Sequence, residues 1–144
     1  ASLNLGFLVG ISNLYLFQLY SLPKSFDVLR SNEIGFFIIV ISLALIYSSV
    51  RLFREEQEDP NPTTVSHKLI TTGIFKYTRN PMYLALILFQ IGVGISLSFL
   101  HISIMSLLTI FLLHNYVIKR EEFYLLKLFG QKYEGYMQQS RRWI

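Results

Sequence analysis

The chain has 144 residues, enough for one compact unit, of which 52% are hydrophobic and 15% charged, with a formal net charge of +4. So large an apolar share argues against an ordinary soluble domain, and the absence of cysteine excludes disulfides, thiol catalysis and palmitoylation. The positive balance reads as membrane orientation plus attraction to anionic lipid headgroups, not as a nucleic-acid interface.

Four stretches, each about 17–20 mainly apolar residues, are long enough to cross a bilayer core as helices. They lie at Leu3–Leu22, Ile34–Phe53, Pro81–Leu100 and Ile102–Ile118. Asn13 and Gln18 interrupt the first, which still reads as a membrane helix because it lacks a basic n-region and its apolar run is long. The predicted fold is all-α: a polytopic integral membrane protein with about four transmembrane helices and a C-terminal interfacial helix. Three regions follow: a transmembrane hairpin over 1–53, a charged, proline-containing linker over 54–65, and a half over 66–144 that holds most of the remaining polar features. Of the 13 Lys and Arg residues, only Lys24 and Arg30 lie between the first two spans, and the turn expected at His101 between the last two carries none. The positive-inside rule therefore places the linker, the C-terminal segment and the N-terminus in the cytoplasm.

Within the second half, Arg79-Asn80-Pro81 precedes the third span. Asn80 suits a helix N-cap, Pro81 the first helical position, and Arg79 the headgroup level, with Tyr83 in the first turn. As structure alone this is a well-made helix start; as chemistry, free N–H groups with Arg79 and Tyr83 could surround a polar ligand. His114 and Asn115 interrupt the fourth span, where polar side chains usually face the bundle interior. His114 and Glu121 are two turns apart and share a face, as do Asn115 and Glu122, so a polar stripe is expected; alternatively the glutamates pair with Lys119 or Arg120 on a solvated face. Beyond it, Phe123, Leu126 and Phe129 form an apolar face widened by Leu125 and Leu128, Gly130 ends or bends the helix, and Tyr133 and Tyr136 share one side of the next turn. Gly92 and Ser96 form a small-xxx-small pair suited to helix packing. His67, His101 and His114 have no metal-ligand spacing, so no metal is expected, and no serine nucleophile elbow or phosphate-binding glycine loop is present.

The stretch HKLITTGIFKYTRNPMYLAL (67–86), followed by EEFYLLKLFGQKYEGYMQQSRRWI (121–144), resembles the C-terminal half of the isoprenylcysteine carboxyl methyltransferase family, related to the membrane phospholipid methyltransferases. The resemblance covers residues 66–144 and rests on an ordered combination: a G-x-[FY]-x-Y-x-R-[HN]-P-x-Y block, a double glutamate and FG-x-x-Y-x-x-Y. It implies a methyltransferase that uses S-adenosylmethionine near the cytoplasmic ends of the last helices. By position it implies a cofactor pocket lined by His67, Lys68, Leu69, Ile70 and Phe75. The family's Arg-His-Pro-x-Tyr falls on Arg79, Asn80, Pro81, Met82 and Tyr83, and its cofactor-contacting glutamate on Glu121. Tyr77 and His114 complete the set of expected cofactor neighbours. Two departures stand out. Asn80 replaces a histidine and cannot act as a base, and Val117 occupies the position of a substrate-binding arginine, which loosens the inference about substrate. Ala85 also replaces a common glycine.

The expected function is methyl transfer to a lipophilic acceptor at the cytoplasmic membrane interface, with Tyr83, Tyr77 and Phe75 as aromatic faces for the cation, Glu121 for the cofactor's ammonium or ribose hydroxyls, and Arg79 for its carboxylate. Prenylated, lipid and small hydrophobic acceptors all suit this reading. Two alternatives remain open: an NADPH-dependent sterol or isoprenoid reductase, which shares the Arg-His-Pro-x-Tyr helix, and a non-enzymatic membrane module. Membrane lipids are expected partners, and the sequence carries no reading of oligomeric state.

Overall fold

The computed structural model describes residues 32–59, 66–97 and 99–144; the expected first span lies outside the described residues. The elements are helix α1 (Asn32–Glu55), a 3-10 turn (Gly73–Lys76), and helices α2 (Pro81–Ser96) and α3 (Leu100–Leu112). A π-helical turn (Leu113–Ile118) then leads into α4 (Lys119–Phe129) and α5 (Gln131–Gln139). No strand occurs among the described residues, apart from a single parallel bridge between Thr78 and Arg141.

Helix α1 is built inside out by soluble standards. Its buried residues are Gly35, Ser42 and Ser49, while Phe36, Phe37, Leu43 and Tyr47 are exposed. Small residues inward and large apolar ones outward is how helices pack when the surrounding medium is as apolar as Leu. The contact with α2 is close: a Cβ added to Gly92 would lie 2.8 Å from Ile39 Cγ1 and 2.9 Å from the Gly35 carbonyl oxygen. One added to Gly35 would lie 2.7 Å from Ser96 Cα. Gly92 and Ser96 thus form the α2 side of the packing contact expected of them.

Among the described residues, two helices are long and apolar enough to cross a membrane: Asn32–Glu55, of 24 residues, and His101–Phe129, of 29. Three features depart from the predicted spans. The third span ends at Ser96, not Leu100, and a helix of 16 residues rises only about 24 Å against a hydrocarbon core of about 30 Å. The cause is a tight reversal over Gly94, whose carbonyl accepts the Phe99 N–H at 2.7 Å and whose Cα faces Ser103 too closely for a side chain. The turn expected at His101 therefore comes earlier, and His101 is helical. The fourth span does not stop at Ile118 but runs unbroken into α4. Polar links bind α2 to α3: Ser103 Oγ donates to the Ile91 carbonyl at 3.1 Å, and Thr109 Oγ1 to Gln90 Oε1 at 2.9 Å.

At Gly130 the chain takes φ +52°, open to glycine without strain, and α5 folds back. Tyr133 and Tyr136 then bury against Ile70 and Phe75, with Phe53, Leu125, Leu126 and Phe129 around them. Tyr136 donates its hydroxyl to the Phe75 carbonyl at 2.7 Å, and Phe53 meets Phe75 edge-on at 5.7 Å between ring centroids. The expected apolar face of α4 is rotated: Leu125, Leu126 and Phe129 pack inward, while Phe123 and Leu128 are exposed. The direction from which α5 docks selects that face. Lys127 instead covers the outward Phe123 ring, 4.4 Å from its centroid.

Candidate functional site

The site forms where the start of α2, the π turn with α4, and a strap over residues 140–144 meet. Pro81 occupies the first turn of α2 and is buried, as expected. Asn80 stands at the N-cap position, but its side chain makes no cap bond. Its Nδ2 donates to the Arg142 carbonyl at 2.9 Å, while its own backbone N–H donates to Thr78 Oγ1 at 3.2 Å. The strap is pulled against this segment by backbone bonds: Arg79 N–H to the Arg141 carbonyl at 2.9 Å and Arg141 N–H to the Tyr77 carbonyl at 3.2 Å.

Arg79 differs from its expected role. Rather than standing free at headgroup level, its side chain is only 10% exposed. Nη1 donates to the Met137 carbonyl at 3.1 Å and to the Ser140 carbonyl, closing off the C-terminal end of α5, and Nη2 reaches Glu122 Oε1 at 3.3 Å. Nε is buried without a partner. Glu122 also takes a two-point pair from Arg142, Nε at 2.9 Å and Nη2 at 2.7 Å. The alternative pairing of the glutamates with Lys119 or Arg120 does not form: Lys119 bonds Asn115 Oδ1 at 2.9 Å.

Glu121, one residue back and so about 100° around the helix, accepts the Tyr83 hydroxyl at 2.6 Å. His114 lies beside the strap, with Trp143 Nε1 at 3.4 Å from Nδ1 and Arg142 Nη1 at 3.5 Å from Nε2. The expected polar stripe is therefore divided. Asn115 donates to its own helix at Phe111 O, 2.9 Å, and does not continue toward Glu122. The π turn supplies the reason: its wider coil advances each residue through a smaller angle, so seven residues no longer close two turns.

The structure brings Arg79, Asn80, Pro81, Tyr83, His114 and Glu121 together around the strap. Met82 is half-buried on the same first turn of α2. His67, Lys68, Leu69 and Ile70 line a separate cavity of about 240 Å³ with Thr71, Thr72, Phe129 and Lys132. Tyr77 is 73% exposed, on the rim of another cavity of about 460 Å³ bounded by Tyr47, Arg51, Leu52 and Glu55. Phe75 is a core residue. Arg142 and Trp143 are the site members that sequence reasoning did not single out; both lie in the terminal SRRWI, whose partners stand far away along the chain.

Residues 31–132 match the model of the phospholipid methyltransferase family. The chain belongs to that family. The matched range holds Arg79, Tyr83, His114 and both glutamates, and stops short of the strap. Two proteins with the same description, probable protein-S-isoprenylcysteine O-methyltransferase, from Oryza sativa subsp. indica and from Oryza sativa subsp. japonica, are each 32% identical over 72 residues. Each alignment covers 50% of this chain and 38% of the relative. No solved structure matches. Membership of the phospholipid methyltransferase family, the likeness to the isoprenylcysteine proteins and the two long apolar helices all agree with a membrane-associated protein.

Proposed function

We propose that this protein transfers a methyl group from S-adenosylmethionine to a lipophilic acceptor at the cytoplasmic face of a membrane, as a multi-pass protein with both termini in the cytoplasm. The observation that carries the reading is the Tyr83–Glu121 hydrogen bond, 2.6 Å long. It joins the Arg-Asn-Pro-x-Tyr block to the double glutamate, the two motifs that the resemblance assigns to one pocket.

The residues fit a zwitterionic, cationic nucleoside on one further observation: Arg79 Nε is a buried N–H lacking an acceptor within the protein. A ligand carboxylate supplies that acceptor, and Glu121 supplies one for a ligand ammonium. In this reading Arg79, Asn80 and Glu121 hold the amino-acid portion. S-Adenosylmethionine, when bound, supplies an electrophilic methyl on a sulfonium. Tyr83 fixes the Glu121 carboxylate by donating to it. The apolar cluster of Ile87, Leu113 and Ile118 keeps water from the acceptor side, where a dry environment favours loss of the sulfonium charge. Orientation of acceptor and donor accounts for much of the remaining acceleration.

The test uses the purified full chain in lipid nanodiscs. S-Adenosylmethionine and its demethylated product are expected to raise the melting temperature by mass action, NADPH is not, and labelled methyl is expected to pass into a lipophilic extract. A rise with NADPH alone assigns the reductase class. No rise with any of the three removes the enzyme reading in favour of a binding or structural module.

A further inference from the structure

Trp143 is the chain's one tryptophan, and it sits at the tip of the strap. It is half-buried, packed with Tyr83 and Val117 against the buried cluster of Ile87, Leu113 and Ile118. Base and tip of the strap are held very differently. The base is fixed by the Arg79–Arg141 and Arg141–Tyr77 backbone bonds, at 2.9 and 3.2 Å, and by the two-point Arg142–Glu122 pair.

The Trp143 side chain is linked to the helices by the Trp143 Nε1 to His114 Nδ1 contact at 3.4 Å, long for a hydrogen bond. Arg142 Nη1 approaches the other ring nitrogen of His114 at 3.5 Å. Indole and guanidinium only donate, and a neutral imidazole has a single acceptor nitrogen, so His114 satisfies one of the two at a time. The next residue, Ile144, is 78% exposed, and its carbonyl accepts only from Arg141 Nη1 within the strap, at 3.5 Å. A fixed base with a weakly held, bulky apolar tip is a hinge geometry. The tip packs against the same apolar cluster as the Tyr83 ring, whose hydroxyl bonds Glu121.

We infer that Trp143 is a specificity-determining gate: its indole holds an apolar slot beside Tyr83, and the hydrocarbon chain of a lipophilic acceptor takes that slot when the indole swings out on the fixed base at Arg142. Identifying the occupant as the methyl acceptor rests on the methyl-transfer reading above. The slot itself follows from the packing. Its lining of Val117, Ile87 and Leu113 suits a chain, with His114 at the edge where the indole N–H rests. Trp143 sets how long or thick a chain fits, because indole and chain compete for the same volume.

The test reads Trp143 emission in the full chain in nanodiscs while geranyl methyl thioether and farnesyl methyl thioether are titrated. Binding is expected to shift the emission to the red and to increase its quenching by acrylamide. Trp143→Ala is expected to bind the farnesyl probe about tenfold more tightly relative to the geranyl probe, since the vacated volume accepts further buried carbons. Trp143→Phe, which keeps most of the fill, is expected to hold the native preference and guards against misfolding of the alanine variant. The gate is overturned by unchanged emission while calorimetry records chain binding, by a native-like chain preference in Trp143→Ala, or by failure of both probes to bind either protein. Calorimetry with S-adenosylhomocysteine separates the two readings. Absence of that binding sinks the methyl-transfer reading, while the emission titration still decides the gate.

Discussion

Tyr83 and Glu121, 38 positions apart, are joined by a 2.6 Å hydrogen bond between phenol and carboxylate. The bond ties the first turn of α2 to the first turn of α4, so it has both a structural and a chemical side. Glu121→Gln keeps an acceptor oxygen for Tyr83 but loses the negative charge. The fold is expected to persist while affinity for S-adenosylmethionine falls about tenfold, in line with a lost charge-assisted bond. Calorimetry giving native affinity would take Glu121 out of the site. Tyr83→Phe removes the donor and is expected to lower stability by about 1 kcal/mol.

The adjacent carboxylate behaves differently. Glu122 is 12% exposed and serves Arg79, 10% exposed, and Arg142, 36% exposed. Glu122→Ala leaves the buried Arg79 charge without its carboxylate partner and is expected to cost about 3 kcal/mol, the lower end for breaking a buried pair because Arg142 reaches solvent. A double-mutant cycle with Arg142→Gln in reversible unfolding should return a coupling of about 1–2 kcal/mol. Additive single effects would mean that the strap is not held through this pair.

Glycine substitutions provide an internal contrast. At Gly92 a Cβ would meet the Gly35 carbonyl oxygen at 2.9 Å, backbone that cannot turn aside, so Gly92→Ala is expected to destabilise the α1–α2 contact by about 1–3 kcal/mol. At Gly135, within α5, an added Cβ meets nothing within 4 Å. Gly135→Ala should stabilise by about 0.5–1 kcal/mol through helix propensity. Thermal unfolding of the pair in one detergent checks both signs.

Alkaline pH should loosen the C-terminal helix. Burial pushes the Tyr136 hydroxyl from 10.0 up to about 12, and burial is also the main cause raising Tyr133. Because the folded state holds these protons more tightly than the unfolded chain, their contribution is complete below pH 10 and is lost as pH rises from about 10 through 12. Melting temperature is expected to fall across that window. Tyr136→Phe should flatten the decline, and an identical decline in that variant would assign it elsewhere.

The convergence of Tyr83 and Glu121 was readable because each belongs to a motif whose order along the chain is distinctive. The partners of Glu122 were not. Lys119 and Arg120 are its neighbours in sequence, but helix geometry turns them outward, and the cations that reach it come from positions 79 and 142. The early end of α2 was hidden because residues 97–100 are nearly as apolar as the helix before them; the one local signal was Gly94, which lets Ser103 approach. Periodicity marked α4 as amphipathic, yet which face is covered depends on the docking of α5, a long-range contact that no local pattern records. Trp143 escaped notice because an aromatic near a helical tail reads as an interfacial anchor until its partner His114 is in view.

Both glutamates ride on the same rod that begins at His101 and continues without a break to Phe129. Such a rod responds to its surroundings as a single lever. In a thinner bilayer it leans further to keep its apolar part covered, and its far end swings with it. Tyr83 in the shorter α2, and Arg79 just before it, are tied to that rod by their bonds to Glu121 and Glu122. Lipid thickness therefore loads those two bonds, and the composition of the host membrane becomes a tuning variable for the chemistry.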